Sequence, residues 1–482
     1  MTRPNDGGIR RRDFCRLGLV SFAALGGNAL WQPGCASKRN IRFALPRSSN
    51  IIIFLVDKLR PDHLGIYGYR KRTSPNIDRL ARQAIVFEHA YAPCPWTYPS
   101  VVSLLTGLIP SVHGAVLKKK SVSIANPDIW LPRVFQSHGF ATVCFHTHPF
   151  LRKSFSNIHA GFEGYYDPSE KMRGQDRFSK FMYLDTLYPA CERWLEENHR
   201  RKFFMYIHVI DVHGPYSEMR VVDEDEERLR ALHKENTVLP RTDNGMLASS
   251  TSTANPHKAL FYDGHIFFVD GYFNKLLNKL DSLGISDNTL LILTSDHGEG
   301  FGEHNCWNHG RNVYEHQIRI PLAFFAHRAV KLRAGRINGI VNSIGLMPSL
   351  FDMLGMPFNE NINGRSFAHL LGTGDHEWRY DCLSEGCVEH EKVDPDAFMV
   401  DHRLKLITDK ISGAQCLFDL AEDPHEMHPI SAKGRGVSSL RDALNILARK
   451  REAFMELARR KKSSSNNLRR QDLEDIKTLG YL

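Results

Sequence analysis

Three short stretches of this 482-residue chain hold residue types that do chemistry together. Asp57 follows at once on Ile51–Val56, a continuous apolar run rich in β-branched residues. Asp296 and His297 follow a second such run, Thr289–Thr294, in Ser295-Asp296-His297-Gly298-Glu299. Functional groups in open parallel sheets collect beyond the carboxyl ends of the strands. Two carboxylates and an imidazole at such ends are candidate ligands for one divalent metal ion. The third stretch is Trp96-Thr97-Tyr98-Pro99-Ser100, ahead of Val101–Thr106 and Gly107. Pro99 suits a first helical turn, which puts Thr97 just before a helix start. There its hydroxyl meets the helix dipole and unpaired N–H groups that also favour an anion. Taken singly, each Asp also reads as a turn or cap residue and Thr97 as a plain N-cap.

Those residues need a frame, and the pattern predicts one. Ile51–Val56 reads as a strand buried on both faces, Asn76–Ala84 as a helix and Ile85–Phe87 as a strand. Further strands are expected at Ala141–Phe145, Phe203–Val209, Thr289–Thr294 and Leu322–Phe325. Helices are expected at Tyr188–Asn198, Ala259–Leu283 and Ser343–Leu354. Such alternation argues for a mainly parallel sheet flanked by helices. Val221–Pro256 reads as an exposed insertion or lid. Beyond about residue 374 the strand runs shorten (Ala397–Val400, Lys405–Thr408, Cys416–Leu420), and a charged helix is expected over Leu440–Arg459. Lys461–Asn467 reads as a linker. The division expected is a leader and linker over 1–47, an α/β domain over 48–374 and a small α+β subdomain with a basic helical tail over 375–482.

Charge distribution excludes one tempting function. The net charge of +9 divides into +7 over residues 1–47, +5 over 449–482 and −3 over the body between them. A basic nucleic-acid groove has no support in that body. Arg10-Arg11-Arg12-Asp13-Phe14 ahead of the apolar Leu17–Leu30 is similar to a twin-arginine export leader, which implies a periplasmic protein; the competing reading is a cytosolic basic tail. Gly34-Cys35 has the form of a lipoprotein cleavage site, with Gln32 where such sites usually carry Leu, so a lipid anchor on Cys35 is one reading. Nine cysteines without a Cys-x-x-Cys pair encode neither a zinc ribbon nor a disulfide scaffold. Cys382 and Cys387 are the pair considered for an oxidising compartment.

Asp57 after its buried run, Pro99-Ser100 with Leu104-Leu105-Thr106-Gly107, His113-Gly114 and Ser295-Asp296-His297-Gly298-Glu299 together resemble the sulfatase family of the alkaline phosphatase superfamily. His208 with Asp211-Val212-His213-Gly214-Pro215-Tyr216 looks like that family's histidine loop. His309-Gly310, Tyr314-Glu315 and Ile318-Arg319-Ile320-Pro321-Leu322 resemble another of its stretches. Leu417-Phe418-Asp419-Leu420, Asp423-Pro424 and Leu479-Gly480-Tyr481 resemble its carboxyl-terminal subdomain. The resemblance implies an alkaline-phosphatase-like α/β fold with a small C-terminal α+β subdomain. It raises His213 and His309 above the other histidines among the 24 present, as proton donors to a leaving oxygen.

The chain also departs from that family. Sulfatases carry Cys or Ser, oxidised to formylglycine, followed by x-Pro-x-Arg; here Thr97 occupies that place and Val101 the arginine position. A threonine cannot give that aldehyde, because its carbinol carbon carries a methyl group. Lys58 stands where sulfatases place a second Asp, and His297 where they often have Asn. Losing a carboxylate and gaining an imidazole shifts the expected metal from calcium towards zinc or manganese. The set Asp57, Thr97, Asp296 and His297 resembles the phosphoethanolamine and lipoteichoic acid transferases of the same superfamily, which implies a metal-activated Thr97 nucleophile on a phosphoester. Two other readings stay open: a sulfuric ester hydrolase without formylglycine, and a non-catalytic protein that binds anions or glycans. The substrate expected is a small-molecule, glycan or lipid ester. Lys118–Lys120 reads as a solvated loop or an anion contact at the mouth. Oligomeric state is left open.

Overall fold

The structure is a computed structural model that describes residues 44–116, 120–123, 129–171, 183–214, 258–326, 334–358, 362–373, 381–386, 395–400, 403–430 and 464–467. Nine strands build the main sheet: β1 (Asn50–Val56), β2 (Ala84–Tyr91), β3 (Ala141–His146), β4 (Gly164–Tyr166), β5 (Phe203–Val209), β6 (Thr289–Thr294), β7 (Arg319–Ile320), β8 (Leu322–Ala326) and β9 (Gly335–Asn342). Their order is β7-β2-β8-β6-β1-β5-β3-β4, with β9 also paired to β2. β1 lies parallel between β5 and β6. β3 continues in parallel on β5, and β9 is parallel to β2. β8 runs antiparallel between β2 and β6.

The alternation of β1 explains why its sequence shows no polar face. Ile51, Ile53 and Leu55 enter one apolar cluster and Ile52, Phe54 and Val56 the other. A strand with both faces covered must be apolar throughout. The first cluster packs under α2 (Thr97–Thr106), α3 (Leu131–Ser137) and α6 (Leu346–Leu354); the second packs under α1 (Pro75–Leu80), α4 (Leu184–Asn198) and α5 (Lys258–Ser282). The carboxyl ends of β1, β5 and β6 therefore lie side by side, and the turns that follow them meet.

Most expected elements fall where the pattern put them, and the differences have local causes. The helix expected at Asn76–Ala84 is α1 followed by a 3-10 turn, Ala81–Gln83, and the strand expected at Ile85–Phe87 extends to Tyr91. β9 escaped the pattern because Gly335, Arg336 and Gly339 interrupt its apolar residues. Ser343–Gly345 is a 3-10 turn capped by the Asn342 side chain, which accepts from the Ile344 N–H, and only then does α6 begin. Ser464–Asn467, expected as linker, is a strand antiparallel to Lys120–Ser123; Lys120 is correspondingly a strand residue. The leader with Cys35, the insertion 221–256, the helix 440–459 and Cys387 lie outside the described residues. No helix among the described residues is long and apolar enough to cross a membrane.

The C-terminal strands β10 (Asp381–Glu385), β11 (Pro395–Val400), β12 (Leu404–Asp409) and β13 (Gln415–Asp419) form an antiparallel meander. It joins the main sheet through a shared apolar cluster of Tyr91, Val313, Ile318, Ile340, Cys382, Ala397 and Met399. Lys405 of β12 is fully buried and binds two carboxylates, Glu315 Oε1 at 3.0 Å and Glu426 Oε1 at 2.8 Å. One ammonium cannot neutralise two carboxylates, so burial, helped by the charge of Glu315, pushes Glu426 up to about 7 while Lys405 restrains it. A carboxyl raised in the folded state contributes stability that is complete below its unfolded value and lost as pH rises through about 7. The stability difference between the unmutated protein and Glu426→Gln should therefore decline as pH rises from 5 through about 7; a difference that calorimetry finds independent of pH would contradict this account of the triad.

Candidate active site

Asp57 leaves β1 with its backbone N–H on Val209 O at 2.9 Å, which ties the end of β1 to the end of β5. Its carboxylate is fully buried, and neither oxygen is hydrogen-bonded. Asp296 leaves β6 in a different state. Its Oδ1 accepts from Lys58 N–H at 3.2 Å, His297 N–H at 3.0 Å and Ser295 Oγ at 3.3 Å, whereas its Oδ2 meets none. One oxygen is thus held by the turn and the other is left facing Asp57 and His297. Burial, then the charge of Asp296, pushes the Asp57 carboxyl well above the usual range. Burial acts on Asp296 as well, but His297, the neighbouring imidazoles and the Lys58 N–H outweigh it and hold that carboxyl below its ordinary value.

His297 completes the cluster. Its Nδ1–H donates to Gly298 O at 2.8 Å, which leaves the Nε2 lone pair directed inward. That Nε2 lies 3.5 Å from Asp57 Oδ1 and 3.4 Å from Asp296 Oδ2. The three ligand atoms all fall within 4.8 Å of one another. Unpaired carboxylate oxygens beside an imidazole nitrogen, all buried, are costly unless a cation joins them. The donor set therefore fits one divalent metal ion. The turn tolerates no side chain at Gly298, since a Cβ there would come within 2.2 Å of His316 O.

Thr97 departs from its expected place by one residue. It is the first residue of α2, and the N-cap is Trp96, with extended backbone and no side-chain cap. The hydroxyl reaches the cluster: Oγ1 lies 3.1 Å from His297 Nε2, and the residue is fully buried. With that nitrogen unprotonated, the hydroxyl is the donor, and it points at the place where the metal fits.

His213 and His309 arrive from two other loops. His213 sits in the turn after β5, with its N–H on Ile210 O at 2.8 Å and its Nδ1–H on Gly214 O at 2.6 Å. Burial drives its imidazole well below the usual value. The His309 ring stacks on His297 at 4.6 Å between centroids and lies 5.5 Å from the His213 ring. Gln317 holds that arrangement. Its backbone O accepts from Gly298 N–H at 2.8 Å, its Oε1 accepts from Gly310 N–H at 3.1 Å, and its Nε2–H donates to Asn308 O at 3.1 Å.

Sequence reasoning missed His148 and the pair Lys58–Glu299. His148 accepts Phe150 N–H at Nδ1 (3.1 Å), so its neutral form carries the proton on Nε2, 3.3 Å from Asp57 Oδ2. The available signal was His146 and His148 just at the end of the strand Ala141–His146, on the same sheet edge as Asp57. Lys58 Nζ binds Glu299 Oε2 at 2.7 Å, and Glu299 Oε1 lies 3.4 Å from His309 Nδ1. Nothing in their spacing, 241 residues apart, announces that pair.

A helix-flanked, mainly parallel sheet that gathers buried acids, an imidazole and a hydroxyl beyond its carboxyl edge is the architecture of the alkaline-phosphatase-like ester hydrolases. The comparisons narrow this. The family model described as Sulfatase matches residues 49–356, and one described as N-sulphoglucosamine sulphohydrolase, C-terminal, matches 302–450. The chain belongs to the sulfatase family and is an ester hydrolase by that membership. An arylsulfatase of Clostridium perfringens is 25% identical over 78% of this chain and 89% of its own length. A solved structure in complex with D-glucosamine-2-N,6-O-disulfate has a TM-score of 0.63 at 18% identity, covering 85% of this chain and 98% of that one. The phosphonate monoester hydrolase of Agrobacterium radiobacter has a TM-score of 0.60 at 17% identity, covering 84% of this chain and 96% of its own.

Proposed function

We propose that the protein cleaves a phosphoester with Thr97 as nucleophile and one divalent metal ion held by Asp57, Asp296, His297 and the Thr97 hydroxyl. The observation that carries this reading is the 3.1 Å approach of Thr97 Oγ1 to His297 Nε2 within a buried cluster of unpaired acids. Imidazole in the donor set favours zinc or manganese over calcium, which prefers oxygen ligands alone. When bound, the ion supplies Lewis acidity that lowers the hydroxyl pKa and offsets charge on the reacting oxygens.

The rest is done by the chain's own residues. Thr97 Oγ1, its proton released to solvent, attacks phosphorus and forms a phosphothreonine ester as the bond to the leaving oxygen breaks. His309 gives that oxygen its proton. Glu299 behind its Nδ1 stabilises the imidazolium needed before transfer, as a buried carboxylate does for a catalytic histidine. Water then attacks phosphorus as its bond to Thr97 Oγ1 breaks, and the same imidazole takes the proton from the water. His213, kept neutral by burial, orients the ester through Nε2.

Charge matching favours a monoanionic ester. A divalent ion would balance Asp57 and Asp296, and Lys58 balances Glu299, so a second negative charge on the substrate would enter a buried site unpaired. A phosphodiester meets that condition. A sulfate monoester meets it too, and the names of the relatives favour that second reading, on a glycan ester such as the sulfated sugar bound by the neighbouring structure. Turnover of an aryl phosphodiester, an aryl phosphate and an aryl sulfate by zinc- or manganese-loaded protein tests the choice. The phosphodiester is expected to be the best of the three; aryl sulfate turnover alone would contradict the proposal and favour the second reading.

A further inference from the structure

Lys58 is a buried ammonium with only part of its donor capacity used. Its side chain is 3% exposed, and Nζ donates to Glu299 Oε2 at 2.7 Å. Among the described residues no other acceptor meets Nζ. An ammonium has three N–H groups, so two remain without a protein acceptor there. Arg60, the next buried cation along the chain, is different. Its Nη1 binds Glu299 O at 2.8 Å and Glu303 Oε1 at 2.7 Å, while its Nε and Nη2 bind Asp62.

The backbone brings Lys58 into the site at a cost. Its φ of 63° lies in the left-handed region, which a side chain other than that of glycine, Asn or Asp rarely adopts. That conformation sets the Lys58 N–H on Asp296 Oδ1 while the side chain runs towards Glu299 and His309. The ammonium charge also bears on Asp57, His148 and His213, helping to lower each of them. Val101, where the family's arginine would stand, is wholly buried in the apolar core. The site therefore lacks one cation and holds another that the family pattern does not contain.

We propose that Lys58 is the cation that binds the non-bridging oxygens of the substrate's tetrahedral oxyanion through its two unmet N–H groups. Glu299 keeps the third N–H and thereby holds the ammonium in place. This assignment rests on the reading of the cluster as a metal-dependent ester site. It makes Lys58 a substrate-binding residue, with Glu299 positioning both it and His309.

Lys58→Met combined with Glu299→Gln removes cation and counter-ion together and strands no buried charge. Lys58→Gln with Glu299→Gln, which keeps a neutral polar pair, is the second variant and is read the same way. Inorganic phosphate and, in a parallel arm, inorganic sulfate are titrated by calorimetry into zinc- or manganese-loaded protein, with bound metal counted by mass spectrometry. Both double variants are expected to keep the metal and to lose oxyanion affinity roughly tenfold or more. Glu299→Gln alone keeps the ammonium but removes its anchor, and is expected to lose less oxyanion affinity than either double variant. Equal affinity in the double variants and the unmutated protein would overturn the Lys58 assignment and leave the metal-dependent reading standing. An unmutated, metal-loaded protein that binds neither oxyanion and turns over no ester would overturn that reading, and the Lys58 assignment with it.

Discussion

Thr97→Ala is expected to lower ester turnover by about a thousandfold or more, with a melting temperature close to that of the unmutated protein and the metal still held, more weakly, by Asp57, Asp296 and His297. The stability part follows from what the hydroxyl does. It does not cap α2, because Trp96 is the N-cap and the helix starts at Thr97 itself. Its Oγ1 lies 3.1 Å from His297 Nε2, the nitrogen that would also hold the metal ion. Thr97→Ser keeps the attacking oxygen and should retain turnover within about tenfold of the unmutated protein, a loss reflecting the freer rotamer of serine. A structural role for Thr97 would give another order, with both variants losing stability and alanine no worse in chemistry than serine. Single-turnover kinetics beside thermal melts separate the two outcomes.

Asp296→Asn is expected to weaken metal binding by about a hundredfold or more and to abolish metal-dependent turnover. Its second effect has the opposite sign and is more diagnostic. Without metal, Asp57 and Asp296 face one another through unpaired oxygens, and the charge of Asp296 raises the Asp57 carboxyl. Removing one of two buried like charges relieves that repulsion. In a chelator the variant should therefore melt at or above the temperature of the unmutated protein. Adding metal should stabilise the unmutated protein by about 2.7 kcal/mol at a hundredfold excess over its Kd and leave the variant nearly unmoved. A variant that is less stable than the unmutated protein in chelator would mean that Asp296 serves mainly to hold the turn through Oδ1.

The parts of the site that could be read from sequence are those that follow strands. Asp57 stands directly after, and Asp296 and His297 just beyond, apolar runs whose boundaries the structure reproduces at Thr289–Thr294 and moves by one residue at Asn50–Val56. A strand buried on both faces leaves a plain signature, and the first polar residues beyond it must lie at the sheet edge. Thr97 was legible as a helix start but not as N1, because propensity cannot tell a cap from the residue after it when Trp96 takes the extended conformation. Lys58 and Glu299 were illegible for another reason: a buried ion pair 241 residues apart depends on tertiary packing alone. The same holds for Lys405 with Glu315 and Glu426, which ties the C-terminal sheet to the short helix Glu315–Ile318. The strand Ser464–Asn467 carries no strand-forming residues at all, and only its pairing with Lys120–Ser123 makes it one.

Trapping of the covalent intermediate tests the central claim most directly. Metal-loaded protein is mixed with an aryl phosphodiester, quenched in acid within the first turnover and digested for peptide mass spectrometry. The account predicts one added phosphoryl ester on the peptide containing Thr97, absent from Thr97→Ala and absent without metal. Burst release of the aryl alcohol without any modification of that peptide would contradict a Thr97 nucleophile and leave direct attack by water in its place.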